Sequence, residues 1–243
     1  MLIEGLFRTW FPEYSFGSEL SVMDDFRYWL ILGCVLIVSY LLGSVNTALV
    51  ISKLLYREDI RTKGSKNAGM TNMHRVYGAR AAVLTLIGDL SKTVLSVALA
   101  ISIFGCWYQA GVNILGEAYL AGLFAAIGHI FPIYYKFRGG KGVLVTAVMA
   151  LILSPTVFAF LFLLFVLVVG TSKYVSLGSV ITAVLYPVVM SGFSKVVMSG
   201  VQHIFTSLST IVIAILIVYC HRENLKRIND RTENKLTFKK KEK

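Results

Sequence analysis

The sequence predicts an all-α integral membrane protein of about seven transmembrane helices, with the N-terminus outside and the C-terminus in the cytoplasm. Three observations predict it. The 243 residues are 56% hydrophobic and only 15% charged, where a soluble domain carries about a quarter charged residues. Mean hydropathy is +0.70, and several apolar runs approach the roughly 20 residues needed to cross the hydrocarbon. The positive charge, finally, is gathered into a few short segments beside those runs.

The expected spans are 28–55, 79–105, 116–135, 142–153, 156–171, 175–192 and 201–220. The fourth is short and reads equally as half of a broken helix. Connections are tight except for 56–78 and the tail. The chain thus divides into an N-terminal extension (1–27), a membrane-embedded domain (28–221) and a basic cytoplasmic tail (222–243). With seven spans, residues 53–80, 136–141, Lys173 and 222–243 fall on one side. They hold 7, 3, 1 and 9 Lys/Arg, or 20 of the 24. Cytoplasmic loops carry such an excess, which sets the orientation. The remaining four are Arg8, Arg27, Lys92 and Lys195.

Other classes are excluded by placement. Five acids (Glu4, Glu13, Glu19, Asp24 and Asp25) against Arg8 are the reverse of a signal peptide's basic start. Cys34, Cys106 and Cys220 are far apart in or beside apolar runs. They read as small packing residues, with no disulfide framework and no metal site. The net charge of +11 sits in loops beside spans without any nucleic-acid-binding motif, so no nucleic-acid partner is expected. Asp89 and Lys92, inside the second span, share a helix face and read as a structural ion pair. Alternatively, one of them supports the 61–78 loop. A lone mid-membrane charge costs about 2.5–3.5 kcal/mol on insertion scales. The terminal TFKKKEK is a charge run, solvated or weakly drawn to anionic lipid.

Two glycine-rich basic stretches carry the chemistry. In RTKGSKNAGMTNMHRVYG (61–78), Gly64, Gly69 and Gly78 permit tight backbone turns. Ser65, Asn67, Thr71 and Asn72 add short polar groups, and Arg61, Lys63, Lys66 and Arg75, with Arg80 just beyond, add charge. In GHIFPIYYKFRGGKG (128–142), Lys136, Arg138 and Lys141 surround the bend of Gly139, Gly140 and Gly142, and a helix starts at once. Its first N–H groups and dipole suit a phosphate, although this is not a Walker A sequence, because Gly142 follows the lysine. His129 stands upstream as a structural histidine or a base. His221 and Asn224 share one face after the last span. Two cationic loops on one membrane face suggest an enzyme or carrier handling phosphorylated substrates.

These residues resemble the bacterial acyl-phosphate:glycerol-3-phosphate acyltransferases, the PlsY family. The likeness runs from about residue 40 to 236, through Gly43-Ser44, Ile51-Ser52-Lys53 and Asp59-Ile60-Arg61. It continues through Gly64 to Arg75, Gly128 to Gly142, KYVSLGS at 173–179, and His221-x-x-Asn224 with Arg227-Ile228 and Thr232-Glu233-Asn234-Lys235. The resemblance implies transfer of a fatty acyl group from acyl-phosphate to the 1-hydroxyl of sn-glycerol 3-phosphate, giving lysophosphatidate and phosphate in phospholipid synthesis. It implies no metal and no cofactor, and a multi-pass bacterial plasma-membrane enzyme, a monomer, with its active site facing the cytoplasm. Ser65, Arg75, His129, Lys141, His221 and Asn224 are expected to be catalytic. Ser44, Gly64, Asn67, Gly69, Thr71, Asn72, Lys136, Arg138, Gly139, Gly140, Gly142 and Ser176 are expected to bind substrate.

The chain departs from the family pattern at Lys66, where glycine is usual, and also at Asn46, Met70, Thr93, Lys173 and Arg231. A divergent paralogue with altered activity is therefore one alternative, and a transporter of phosphorylated solutes is another. Transporters place their sites near the bilayer midplane, whereas these motifs lie at span ends. The His-x4-Asp pattern of other glycerolipid acyltransferases is absent: Ala79, Tyr134, Leu208 and Lys226 stand five residues after the four histidines.

Overall fold

The computed structural model describes residues 26–107, 114–197 and 200–236. The acid-rich segment before Phe26 and the charge run TFKKKEK lie outside them. Every regular element among the described residues is helical. The helices are α1 (Phe26–Ser44), α2 (Thr47–Tyr56), α3 (Met70–Tyr77), α4 (Ala79–Trp107), α5 (Leu115–Ile130), α6 (Val143–Leu153), α7 (Pro155–Ser172), α8 (Val175–Val197), α9 (Gly200–Cys220) and α10 (Arg222–Asn229). Short 3-10 turns occupy Ile60–Thr62 and Ile133–Tyr135.

Among the described residues, five stretches are long and apolar enough to cross a bilayer: Phe26–Tyr56, Ala79–Cys106, Leu115–Tyr135, Pro155–Ser172 and Val175–Phe193. A sixth arises if Ile204–Cys220 is joined to α10 across a 52° bend. The protein is thus a multi-pass membrane protein. The count falls short of the expected seven because α6, the fourth expected span and the one already read as short, has only 11 residues. At 1.5 Å per residue it rises about 16 Å, roughly half of the hydrocarbon.

The expected first span is broken at Val45-Asn46. Asn46 caps α2, its Oδ1 accepting from the Leu49 amide at 3.0 Å, which fixes the restart of the helix. Pro155 opens α7, where its missing N–H costs nothing.

α5 is the hub of the bundle. All but three of its 16 residues are buried, and many are small. A side chain at Gly43 of α1 would strike the Ala125 backbone, and one at Gly128 would strike the Tyr40 carbonyl. Small residues let helix backbones close up where lipid supplies no hydrophobic drive between helices. By contrast α7 buries only Val157, Leu161 and Val169, and presents Phe160, Phe162, Leu163 and Leu167 outward. Cys34 and Cys106 are also exposed, so they are not the packing residues expected of them.

Candidate active site

The first glycine-rich segment is not an open loop. Its second half is helix α3, opened by Gly69 and closed by Gly78. Asn72, one of the residues expected to bind substrate, is 1% exposed and is the pin of this fold. Its Oδ1 accepts from the Ser65 amide at 2.8 Å. Its amide nitrogen donates to the carbonyls of Lys63 and Asn67 at 3.0 Å and of Ile60 at 3.3 Å. Both of its N–H groups are thereby committed to the protein, and only the second lone pair of Oδ1 is left over. Gly64 has φ +58°, and a Cβ there would strike Asn72 Oδ1. Gly69 and Asn67 serve the turn, their carbonyls accepting from backbone amides. Ser65, Thr71 and Arg75 are exposed around this pin. The Arg75 guanidinium and the Ser65 and Thr71 hydroxyls make no hydrogen bond within the described residues. Lys66 is also exposed and holds the left-handed φ of +60°.

Arg61 links this segment to the second one. Asp59 grips it through two carboxylate oxygens, at 2.7 and 3.0 Å, and the guanidinium holds that carboxyl below the usual range. Arg61 then donates to the Tyr135 carbonyl at 3.2 Å and the Arg138 carbonyl at 3.1 Å. Ser44, expected to bind substrate, is instead fully buried. Its hydroxyl donates to the Tyr40 carbonyl at 2.8 Å and lies 3.5 Å from the Ile133 amide. It anchors the same connection from beneath.

The bend at Gly139-Gly140 folds back on the end of α5. The Gly139 amide donates to the Ile130 carbonyl at 3.1 Å, and the Gly140 amide to the His129 carbonyl at 3.0 Å. Those two N–H groups are spent inside the protein, contrary to the expectation that they cradle phosphate. A Cβ on Gly139 would strike the His129 carbonyl, and one on Gly140 the His129 ring. Gly142, at φ +79°, opens α6. The first amides of that helix have no intrahelical acceptors and face back toward the bend. Lys136 and Arg138 are exposed on its outer side.

Lys141 points the other way, into a network that joins α8, α10 and the segment after α10. Its ammonium donates to Asn224 Oδ1. The Asn224 amide donates to Glu233 Oε1 at 2.6 Å, as does the Ser176 hydroxyl at 2.9 Å. Arg227 donates to Glu233 Oε2 at 2.7 Å. Burial opposes ionisation of Glu233, but these donors outweigh it and hold the carboxyl below its ordinary value. The Lys141 ammonium is lowered to about 8, chiefly by burial, with Glu233 resisting the fall. His221 is lowered to about 4 by burial and by Lys141. It is therefore neutral near pH 7. Its Nδ1 lies 2.8 Å from the Ile217 carbonyl. A carbonyl only accepts, so Nδ1 carries the proton and Nε2 is left as an acceptor. The chain after α10 closes over this network, the Leu236 amide donating to the Lys173 carbonyl at 2.7 Å.

His129 faces the bend with Lys92 and Asp89 behind it. The ion pair is present at 2.9 Å, as its spacing predicts. It does not support the 61–78 segment; Lys92 reaches Val45 and His129 instead. Glu233 was not expected at the site, Arg61 was expected only as a loop charge, and Lys92 only as a structural ion pair or a support for the 61–78 loop. Glu233 and Arg61 lie inside recognisable motifs, which was the available signal.

A family model described as glycerol-3-phosphate acyltransferase matches residues 33–231. A glycerol-3-phosphate acyltransferase 2 of Bacillus cereus is 40% identical over 211 residues, covering 85% of this chain and 96% of that protein. A glycerol-3-phosphate acyltransferase of Finegoldia magna is 36% identical over 215 residues, covering 87% and 98%. Among solved structures, PlsY (YgiH), an integral membrane glycerol 3-phosphate acyltransferase, matches in its glycerol 3-phosphate form. The TM-score is 0.72 and the identity 31%, over 85% of this chain and 96% of that one. Its lysophosphatidic acid form matches with a TM-score of 0.69. On the extent of these matches, the chain belongs to the glycerol-3-phosphate acyltransferase family.

Proposed function

We propose that this protein transfers a fatty acyl group from acyl-phosphate to the 1-hydroxyl of sn-glycerol 3-phosphate, releasing lysophosphatidate and phosphate. The observation that carries this reading is the gathering of the glycine bend, Lys141, Asn224, Ser176 and His221 at one end of the bundle. An acyl-phosphate is a mixed anhydride, already activated. The enzyme's task is to bring two anionic substrates together and to stabilise the developing oxyanion. In this reading Lys141 and the first amides of α6 hold glycerol 3-phosphate. Ser65 and Arg75, whose side chains make no hydrogen bond among the described residues, hold the acyl-phosphate head group. His221, neutral and with Nε2 as acceptor, orients the attacking hydroxyl. A histidine lowered to about 4 is a weak base, so the hydroxyl proton passes more readily to a substrate phosphate.

In the same reading α6 is the fourth of seven membrane segments and the tail is cytoplasmic. All the motif segments then face the cytoplasm of a bacterial plasma membrane. Purified protein should release phosphate from palmitoyl-phosphate only when glycerol 3-phosphate is present, with lysophosphatidate as co-product. Folded protein that binds glycerol 3-phosphate without releasing phosphate would instead be a carrier. Single cysteines placed at Glu19 and Lys240 should be labelled from opposite faces of sealed cells. Labelling of both from one side would overturn the orientation.

A further inference from the structure

Lys92 has three N–H groups and three acceptors. They are Asp89 Oδ1 at 2.9 Å, the Val45 carbonyl at 3.1 Å and His129 Nδ1 at 2.8 Å. A neutral amine has only two N–H groups, so an ammonium fits this set and an amine does not. The break between α1 and α2 is what frees the Val45 carbonyl for it. His129 Nδ1 stands 3.7 Å from Asp89 Oδ1, too far for a hydrogen bond, whereas Lys92 reaches both. Nδ1 must therefore accept, and the ring proton sits on Nε2. His129 is only 5% exposed, and its Nε2 has no hydrogen-bond partner among the described residues. A Cβ on Gly140 would meet Nε2 before any other atom. The space a side chain would take at 140 is thus given to this edge of the ring.

Nε2 is not sealed inside the protein, so its N–H is open to a partner from outside. It lies beside the bend whose next residues are Lys141 and the open N-terminus of α6. We propose that Lys92 is a positioning residue of the acceptor site: through His129 it fixes the Nε2–H tautomer and presents that N–H as a donor to the substrate phosphate. The two histidines then do opposite work. His221 offers an acceptor to the hydroxyl end of the acceptor substrate, and His129 offers a donor to its phosphate end. His129 is on this account not a base. The inference rests on the reading that the bend holds glycerol 3-phosphate.

The test uses the full chain in nanodiscs with 15N-labelled histidine and backbone, the His129 signals being assigned by loss in His129→Gln. His129 should show a protonated Nε2 and a bare Nδ1 at neutral pH, and glycerol 3-phosphate should shift the Nε2 resonance. The double variant Asp89→Asn/Lys92→Met removes both buried charges together, leaving neither unpaired. It should mix the His129 tautomers and raise KM for glycerol 3-phosphate about tenfold, with little change in KM for acyl-phosphate. His129→Met should raise the same KM more than His129→Gln, whose amide restores a donor near Nε2. A bare Nε2 overturns the inference. So does an Nε2 that glycerol 3-phosphate leaves unmoved while the Lys141 and Gly142 amides shift. If none of these signals responds although the protein turns over, the assignment of the bend fails and the inference falls with it.

Discussion

The two glycine-rich segments are built in opposite ways. The first folds on itself: every hydrogen bond of the Asn72 side chain ends within 12 residues in sequence. The side chains of Ser65, Thr71 and Arg75 stand outside that pin and make no hydrogen bond among the described residues. The second also folds back on its own start, through the Gly139 and Gly140 amides, but it is otherwise tied to distant parts of the chain. It is held by Arg61, 74 residues from Tyr135, and its lysine is held by Asn224, 83 residues from Lys141. A local pin leaves mobile side chains free to meet a ligand. Long-range contacts place a lysine and a helix start at fixed depth. The first arrangement suits a head group arriving on a lipid chain, and the second a small soluble anion whose hydroxyl must be aimed.

If that contrast is right, four substitutions should separate. Arg75→Ala should have the largest effect, lowering kcat about 10²–10³-fold. Its melting temperature should not change, since the guanidinium has no partner to lose. Near-normal turnover would return Arg75 to a role in membrane orientation. Lys141→Ala should raise KM for glycerol 3-phosphate about 10–100-fold, the range of a charge-assisted hydrogen bond. The same cation predicts a pH effect. Lys141 is lowered to about 8, so the ammonium is present below that pH and lost above it. The wild-type kcat/KM for glycerol 3-phosphate should fall as pH rises through about 8, and this limb should vanish in Lys141→Met.

Asn72→Ala should act on folding rather than on either substrate. It strips partners from an amide and three carbonyls and should cost about 2–3 kcal/mol of stability, read as a lower melting temperature. An unchanged melting temperature with lost turnover would make Asn72 a ligand group after all. The smallest effect belongs to Lys66→Gly. Lys66 holds φ +60°, a left-handed conformation that costs a side-chain-bearing residue about 1 kcal/mol or more relative to glycine. Glycine there should stabilise the protein by about 0.5–1 kcal/mol.

The sequence made the membrane spans legible because hydropathy and charge are properties of runs. It showed where α4, α5, α7 and α8 lie to within a few residues. It read α6 as the short segment it is, but it did not show the break at Val45 or the restart of the helix at Thr47. Those features depend on which neighbours take up the freed backbone groups. Within the site, the i,i+3 spacing of Asp89 and Lys92 revealed their pairing, but not Lys92's reach to a carbonyl 47 residues earlier. Asn72 looked like a binding group because an exposed amide and a structural one have the same letter. Gly139 and Gly140 looked like a phosphate cradle for a similar reason. Their glycine identity is demanded by the His129 carbonyl and ring, which only the folded chain brings there.

The ion pair in α4 also bears on how the chain enters the membrane. α4 is synthesised before α5, so Asp89 and Lys92 reach the bilayer before His129 exists to receive either of them. Each charge alone would add about 2.5–3.5 kcal/mol to the insertion of that helix. Because they stand one turn apart on the same helix, they can neutralise each other without help from a later segment. The helix can enter as a net-neutral unit, and the lysine's third N–H then waits for α5 to arrive. Docking of α5 beside α4 would complete both the charge cluster and the seat of the glycine bend in a single assembly step.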